Sequence, residues 1–401
     1  MTTSREERYA ELIVRVGANV QPGQLVDLLA GLEHAPIVRE VARSAYRAGA
    51  RYVDVRYVDP HIRRALIQSA AGDDVLSWTP PWLLTRERAF GDEHGAIVAL
   101  TGDAEPELLG DLPGERVGKA RMLELAKEAS RQVTERLCNW TVAGVPNEGW
   151  AMQMIGEPDV DRLWDLVEHC VRLDEPDPVA AWRSHIAQLG ARAQALNDLE
   201  VDALRFQGPG TDLTIGLLPE SRWLGVESET VDGIVYVANM PTEEVYTTPD
   251  ARRTEGVVTA TMPLTVNGTI VRGLRLRFSG GRIVEVGADE GAEVIRGQLE
   301  SDENAAALGE VALVDGTSRI GRTGMTFFDT LYDENATCHV AFGDAYAEAV
   351  EGGLIDGVNV SSVHTDFMIG GPEVSVDAVT RAGAVVPLLR AEVWQLPDRS
   401  T

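Results

Sequence analysis

Strand-like and helix-like patterns alternate through the first half of the chain. Near its start, Ser4 and Glu7 have the spacing of a capping box, and apolar residues follow at helical intervals. Predicted strands cover residues 24–30, 52–58, 96–100 and 140–145, and predicted helices cover residues 37–46, 61–70, 115–137 and 178–196. Because strands and helices take turns over short connections, this half predicts βαβ units and a parallel sheet.

From about residue 200 onward, strand patterns dominate and glycines separate them. Leu274, Leu276 and Phe278 alternate with arginines, and a Ser-Gly-Gly turn then leads into residues 282–286, which predicts a β-hairpin. The Gly-Pro-Gly sequence at residues 208–210 is typical of a turn. The change of pattern indicates a second domain with a different architecture.

The two halves together predict an α/β protein. Residues 1–198 are expected to form an N-terminal domain of βα units around a parallel sheet. Residues 199–401 are expected to form a C-terminal, strand-rich α+β domain. The chain of 401 residues is long enough for two to three domains, and 44% hydrophobic residues suffice for folded cores.

The charge balance narrows the range of partners. The chain carries 63 acidic and 36 basic side chains, a formal net charge of −27. Binding to nucleic acid needs clustered lysines and arginines, and anionic membranes attract basic segments, so neither partner is expected. The charge is most simply a contribution to solubility.

The cysteines and the hydropathy bear on the compartment. Cys138, Cys170 and Cys338 are odd in number and far apart, which provides no disulfide framework and no paired zinc-thiolate spacing. No apolar run approaches the roughly 20 residues of a membrane helix, and the charged start does not resemble a secretory signal. A cytoplasmic protein is therefore expected.

Histidine is scarce, with seven residues in the whole chain, so the positions of these residues are informative. Five histidines in the first half have no partner at metal-ligand spacing. His364 and Asp366 differ, because they lie two residues apart in a predicted strand over residues 358–367 and project from one face. Such a pair can bind a divalent metal, although an isolated His-x-Asp is more often a solvated strand face.

A second polar cluster lies around the remaining histidine. Asp329, Asp333 and Glu334 precede His339, and Tyr346 follows it, within an otherwise apolar and aromatic segment. Buried polar groups of this kind need partners or a ligand. The segment is therefore a candidate site.

Two further carboxylates stand in apolar surroundings. Glu244 follows Glu243 after an apolar strand and a proline turn, and Glu310 is alone within the sequence LGEVAL. A strand-edge position facing water would also explain Glu310. The imidazoles and carboxylates of the second half together suit two divalent ions such as zinc, cobalt, manganese or magnesium. This candidate ligand set consists of Glu244, Glu310, His339, His364 and Asp366.

Four motifs in a fixed order resemble the thermophilic-type metallo-aminopeptidases, the family that includes aminopeptidase T and aminopeptidase S. They are NMPTEEVYTTPDARRTEGVV, LGE, FFDTLYDENATCHVAFGDAY and SVHTDFMIGG, and they extend through the C-terminal half. The resemblance implies a dinuclear metal centre and a homodimer. The residues implied at the metals are Glu244, Glu310, His339, Tyr346, His364 and Asp366, and those implied in catalysis are Tyr346 and Glu310. This chain has Glu243 where the family usually has glycine.

The implied reaction is hydrolysis of the first peptide bond of peptides with a free N-terminus, by water that two metals activate. Tyr346 would donate a hydrogen bond to the tetrahedral oxyanion, and Glu310, Glu334 or Glu243 would move the proton. Two other functions stay open. A related enzyme with a single iron could perform oxygenase chemistry, and an acidic binding protein could retain the site without catalysis.

Overall fold

The structure is a computed structural model that describes residues 4–266 and 268–397. Two compact units divide the chain. The first comprises residues 1–185 and 226–242, and the second comprises residues 186–225 and 243–401. The predicted boundary after residue 198 lies at the end of the helix Pro178–Asp198, whereas the two units part inside this helix.

The regular elements are numbered in chain order. The strands are β1 Leu25–Gly31, β2 Tyr52–Val58, β3 Ala96–Thr101, β4 Asn139–Gly144, β5 Val201–Gly208, β6 Thr211–Leu217, β7 Glu227–Glu229, β8 Val235–Val237, β9 Asn239–Met240, β10 Glu244–Thr247, β11 Pro249–Thr259, β12 Leu264–Val266, β13 Thr269–Val271, β14 Arg275–Ser279, β15 Arg282–Gly287, β16 Leu308–Val314, β17 His339–Gly343, β18 His364–Met368, β19 Ser375–Thr380, β20 Val385–Arg390 and β21 Val393–Trp394. The α-helices are α1 Arg5–Leu12, α2 Ala35–Arg47, α3 Pro60–Ser69, α4 Asp73–Leu76, α5 Pro81–Asp92, α6 Gly114–Lys119, α7 Leu123–Thr134, α8 Glu148–Ile155, α9 Val160–Cys170, α10 Pro178–Asp198, α11 Ala292–Leu299 and α12 Thr330–Asp333.

The first unit contains a parallel sheet, as the alternating pattern predicts. Its strand order is β2-β1-β3-β4-β9, and every neighbouring pair is parallel. Helices connect the strands, and Val26, Leu28 and Val98 are fully buried. The predicted N-terminal architecture is therefore confirmed.

Helix boundaries agree with the sequence signals where capping residues are present. Ser4 accepts a hydrogen bond from the backbone N–H of Glu7 at 3.2 Å, and Glu7 accepts one from Ser4 at 3.1 Å, which completes the predicted capping box. The single helix predicted over residues 115–137 is wrong. Helices α6 and α7 separate there, because Ala120 and Met122 have ψ angles of 63° and 80°, outside the helical region.

The second unit is rich in antiparallel strands, as predicted. An eight-stranded sheet has the order β15-β14-β11-β6-β5-β19-β20-β21, and a four-stranded sheet has the order β10-β16-β17-β18. The predicted hairpin is β14–β15, and the turn at residues 208–210 joins β5 to β6. Each neighbouring pair in both sheets is antiparallel.

The strand predicted over residues 358–367 is wrong in its first part, since β18 begins only at His364. Before it, the side chain of Asp302 accepts hydrogen bonds from the Ser361 hydroxyl and from the Ser362 backbone N–H, the latter at 2.7 Å. The bond from the Ser362 N–H therefore uses a backbone donor that a strand ladder would otherwise require. The segment therefore remains irregular up to the histidine.

Within residues 4–266 and 268–397, no helix combines the length and apolar character needed to cross a membrane. The three cysteines are buried free thiols. Burial raises the pKa of Cys338 to about 12, so this thiol stays protonated beside its histidine neighbour.

Candidate metal centre

The four-stranded sheet brings five predicted ligands onto one face. Residues directly opposite in an antiparallel pair share a face, as do residues two apart along a strand. Ala341 of β17 lies opposite Glu310 of β16 on one side and opposite Asp366 of β18 on the other. His339 and His364 lie two residues from Ala341 and from Asp366 respectively, so they point the same way. The pairing register of β16, β17 and β18 therefore brings together ligands from segments that are distant in the sequence.

Glu244 joins this face from the edge strand. It begins β10 opposite Val314, and β10 continues with Tyr246 opposite Ala312. Ala312 also lies opposite His339 across the next ladder. The five predicted ligands thus belong to neighbouring positions of one grid of side chains.

The ligand atoms form two groups of three that share Glu310. One group is Glu244, Glu310 and His339, and the other is Glu310, His364 and Asp366. Within each group the candidate ligand atoms lie within 4.8 Å of one another. The spacing is suited to a cation in each group, because one ion can contact all three atoms.

The distances show how Glu310 lies between the groups. Its Oε1 is 4.0 Å from His339 Nε2, and its Oε2 is 3.2 Å from His364 Nε2. Glu244 Oε2 lies 3.0 Å from His339 Nε2, and Asp366 Oδ2 lies 3.5 Å from His364 Nε2. Each oxygen of Glu310 thus faces a different imidazole.

Both imidazoles are oriented by backbone carbonyls. His339 Nδ1 lies 2.8 Å from the carbonyl oxygen of Glu334, and His364 Nδ1 lies 2.8 Å from that of Asp344. A carbonyl only accepts, so each Nδ1 carries the proton and donates it. This fixes the tautomer and leaves Nε2 directed at the carboxylates, as in histidines that bind metals.

Small residues keep the face open between the ligands. Ala312 and Ala341 occupy the central positions, and Gly343 lies opposite His364. Gly343 has a φ of +104°, and a Cβ atom there would lie 2.0 Å from the carbonyl oxygen of Val363. Only glycine fits this position without backbone movement.

Burial and mutual repulsion leave the carboxylates in need of positive charge. Burial, together with Asp366 and Glu244, raises the pKa of Glu310, and the same causes raise the pKa of Glu334 strongly. Burial opposes the charged form of His339, yet the carboxylates around it raise its pKa to about 10. Without a metal ion, the protonated imidazoles thus supply the positive charge that these carboxylates need.

One buried atom fits a metal ligand better than a hydrogen-bond acceptor. Glu244 Oε2 is inaccessible and lacks a hydrogen-bond partner of acceptable geometry among the described residues, despite its short distance to His339 Nε2. A buried carboxylate oxygen is costly unless a cation compensates its charge, and either the protonated His339 or a metal ion can do so. Carboxylate and imidazole donors suit borderline-hard divalent ions, so the residues fit a metal centre.

Tyr346 lies at the edge of this centre and is partly exposed. The centroids of its ring and of the His364 ring are 5.1 Å apart, at an interplanar angle of 58°. Burial, followed by Glu310 and Asp366, raises the pKa of its hydroxyl well above the usual value. The phenol therefore stays protonated and can donate a hydrogen bond.

Other polar residues of the candidate segments have different surroundings. Asp329 caps helix α12 by accepting from the Leu331 N–H, and Asp333 accepts from the Phe327 N–H at 2.7 Å. The backbone N–H of Glu243 donates to Asn335 at 2.7 Å, and the Glu243 side chain is buried but belongs to neither ligand group.

The remaining histidines lie outside both ligand groups, as the sequence suggests. His61 pairs with Glu105 at 2.7 Å and His169 with Asp174 at 2.9 Å. His185 is buried and bonds the carbonyl of Thr242. The carbonyls of Glu334 and Asp344 that orient the two site histidines cannot be predicted from sequence, because every residue has a backbone carbonyl.

The fold and donor set define a class: two-unit α/β proteins with a carboxylate–imidazole centre of the kind that binds divalent ions. The chain belongs to the thermophilic metalloprotease family (M29), whose family model matches residues 2–394.

Curated relatives match over almost the whole chain. Aminopeptidase T of Thermus aquaticus is 42% identical, with 98% of each chain covered. Aminopeptidase 2 of Geobacillus stearothermophilus is 36% identical, with 97% of each chain covered. Among solved structures, wild-type AmpT from Thermus thermophilus matches with a TM-score of 0.87 and 40% identity, covering 98% of this chain and 99% of that one. The expected family is therefore confirmed.

Proposed function

We propose that this chain is a metal-dependent aminopeptidase that removes N-terminal residues from peptides and uses two divalent ions. The membership of the M29 family and the relatives named aminopeptidase support the activity. The observation that carries the dinuclear proposal is the position of Glu310, which belongs to both groups of candidate ligands. A shared carboxylate is typical of two-metal hydrolases.

The residues divide naturally between the two ions. Glu244 and His339 would bind one ion, His364 and Asp366 the other, and Glu310 both. Zinc, cobalt, manganese and magnesium all suit such donors. Bound there, the ions would lower the pKa of water and polarise the carbonyl of the first peptide bond.

Two other side chains complete the proposed chemistry. The Tyr346 hydroxyl, held protonated beside His364, would donate a hydrogen bond to the oxyanion of the tetrahedral intermediate. Glu334 is the preferred proton carrier, because it is buried near Glu244 and Asp366 but belongs to neither ligand group. Glu310 is less suited to carry the proton, since each of its oxygens faces an imidazole.

The proposed centre can also select a substrate with a free amine. A peptide's α-amine would bind the second ion or a carboxylate outside the ligand groups, such as buried Glu243, whereas an acetylated N-terminus has no free amine to do so. Restriction to the terminal residue follows if that contact is required for binding. Peptides with a free N-terminus are therefore the proposed substrates.

The test compares an aminoacyl-anilide with its N-acetylated form, with and without EDTA. We expect turnover of the free-amine substrate only, loss of activity in EDTA, and recovery with cobalt or zinc. Metal analysis should give two ions per chain. One iron per chain with no hydrolysis would favour the oxygenase alternative, and metal binding without turnover of a broad peptide panel would favour a binding protein.

We further propose a cytoplasmic homodimer. The free, buried cysteines are consistent with a reducing compartment. The dimer rests on the family resemblance, and light scattering coupled to gel filtration measures it directly. A monomer at micromolar concentration would contradict this proposal without affecting the metal centre.

A further inference from the structure

The strand that presents Glu244 also holds the segment around Tyr346. We propose that Tyr246 and Thr248 are positioning residues that fix Tyr346 relative to the ligands. This inference rests on the role of Tyr346 in the proposed function. It assigns β10 two tasks, the presentation of a metal ligand and the alignment of the oxyanion donor.

Tyr246 contacts Tyr346 from the metal-facing side of the sheet. It lies two residues after Glu244 on β10 and therefore shares its face. Its ring meets that of Tyr346 edge-on, with 5.5 Å between centroids and 66° between planes. The Tyr246 hydroxyl donates to Glu348 Oε1 at 2.7 Å, which fixes the Tyr246 ring in turn.

Thr248 holds the backbone of Tyr346. Its Oγ1 donates a hydrogen bond of 2.8 Å to the carbonyl oxygen of Tyr346, and the residue is 1% exposed. The carbonyl of Thr248 is itself fixed by the hydroxyl of Ser221 at 2.6 Å. Tyr346 is thus restrained at its ring by β10 and at its main chain by the residue that directly follows β10.

On its other side Tyr346 contacts His364, whose Nδ1 donates to the carbonyl of Asp344. Residues 344–346 therefore connect a proposed ligand to the proposed oxyanion donor. Because the oxyanion forms only in the transition state, a displaced phenol should lower kcat and leave KM nearly unchanged.

The chain offers a matched control at the adjacent position. Thr247 is also fully buried, and its hydroxyl donates to a backbone carbonyl, that of Arg222, at 2.9 Å. Thr247 and Thr248 are neighbours in an extended segment, so their side chains point to opposite sides, and the Thr247 hydroxyl bonds Arg222 and not Tyr346 itself. The variants Thr248→Val and Thr247→Val each lose one hydrogen bond of the same kind, so both should lower Tm similarly.

The experiment measures kcat, KM, Tm and bound metal for both variants. We expect Thr248→Val to lower kcat by about tenfold at unchanged metal content, as for a small misplacement of a catalytic group. Thr247→Val should retain the parental kcat, and Thr248→Ser should recover most of what Thr248→Val loses. Equal kcat values for the two valine variants would overturn the inference.

A double-mutant cycle separates positioning from general packing. In a Tyr346→Phe background, Thr248→Val and Tyr246→Phe should no longer lower kcat, because the hydroxyl that they align is absent. Additive losses would overturn the inference, and Tyr246→Phe supplies the test should Thr248→Val fail to fold. If Tyr346→Phe alone leaves kcat unchanged, the proposed catalytic role of Tyr346 is what fails.

Discussion

Replacing Glu310 by glutamine should weaken both metal sites at once. The change keeps the shape of the side chain but removes its negative charge from between the two ligand groups. Its oxygens lie 3.2 Å and 4.0 Å from the two imidazole Nε2 atoms. At about 4 Å and an effective dielectric constant of about 20, two unit charges interact by roughly 4 kcal/mol, and a divalent ion with one carboxylate charge by roughly twice that. Since about 1.4 kcal/mol is a factor of ten, each ion should bind at least about a thousandfold more weakly.

The assay is metal content after dialysis against a buffered series of free zinc concentrations. Glu244→Gln and Asp366→Asn are the matched controls, because each lies in one ligand group only and should weaken one ion selectively. Glu310→Gln should lose both ions over the same concentration range. If it binds two ions with parental affinity, or loses one ion as the controls do, the shared position of Glu310 has no role in binding.

Three further predictions address the sheet and its surroundings. Ala341→Leu places a larger side chain between Glu310 and Asp366, at an overpacking cost of about 1–3 kcal/mol. Metal titration of this variant should therefore show lost binding. Undiminished metal affinity would contradict the assignment of Ala341 to the ligand-bearing face of the sheet. His364→Ala should abolish anilide hydrolysis while circular dichroism stays parental, and parental rates with added metal would argue against its role. Burial raises the pKa of Asp333 from 3.8 to about 8, so folding stability falls as pH rises through this window. Asp333→Asn should reduce the slope of stability against pH in thermal melts between pH 5 and 8, and a slope equal to that of the parent would contradict this assignment.

The five side chains that the sequence suggests as metal ligands lie together in the structure, and their roles at a metal stay a prediction. The two-residue spacing of His364 and Asp366 in an extended segment dictates a common face, and both side chains do lie beside Glu310. The isolated position of Glu310 among apolar residues signals that its burial needs a partner. Such signals depend only on neighbouring residues, so they can be recognised in the sequence without knowledge of the fold.

Two element boundaries are predicted wrongly from the sequence. The helix expected over residues 115–137 divides at Ala120–Met122, and the strand expected from residue 358 begins only at His364. In the second case the side chain of Asp302, remote in sequence, binds the preceding serines. A pattern of apolar residues contains no information about such a partner, so the prediction extended the strand too far.

By itself, the sequence determined the alternating architecture of the first half, the strand-rich second half and the donor types of the candidate metal centre. These follow from periodicity and from the cost of burying polar groups, which act residue by residue. Only the tertiary structure decided that Glu310 belongs to two ligand groups, that alanines lie between the ligands, and that β10 contacts Tyr346. Each depends on the register between strands distant in the chain, including the irregularity between Leu308 and Glu310. Register is set by the packing of whole faces, and no short stretch of sequence specifies it.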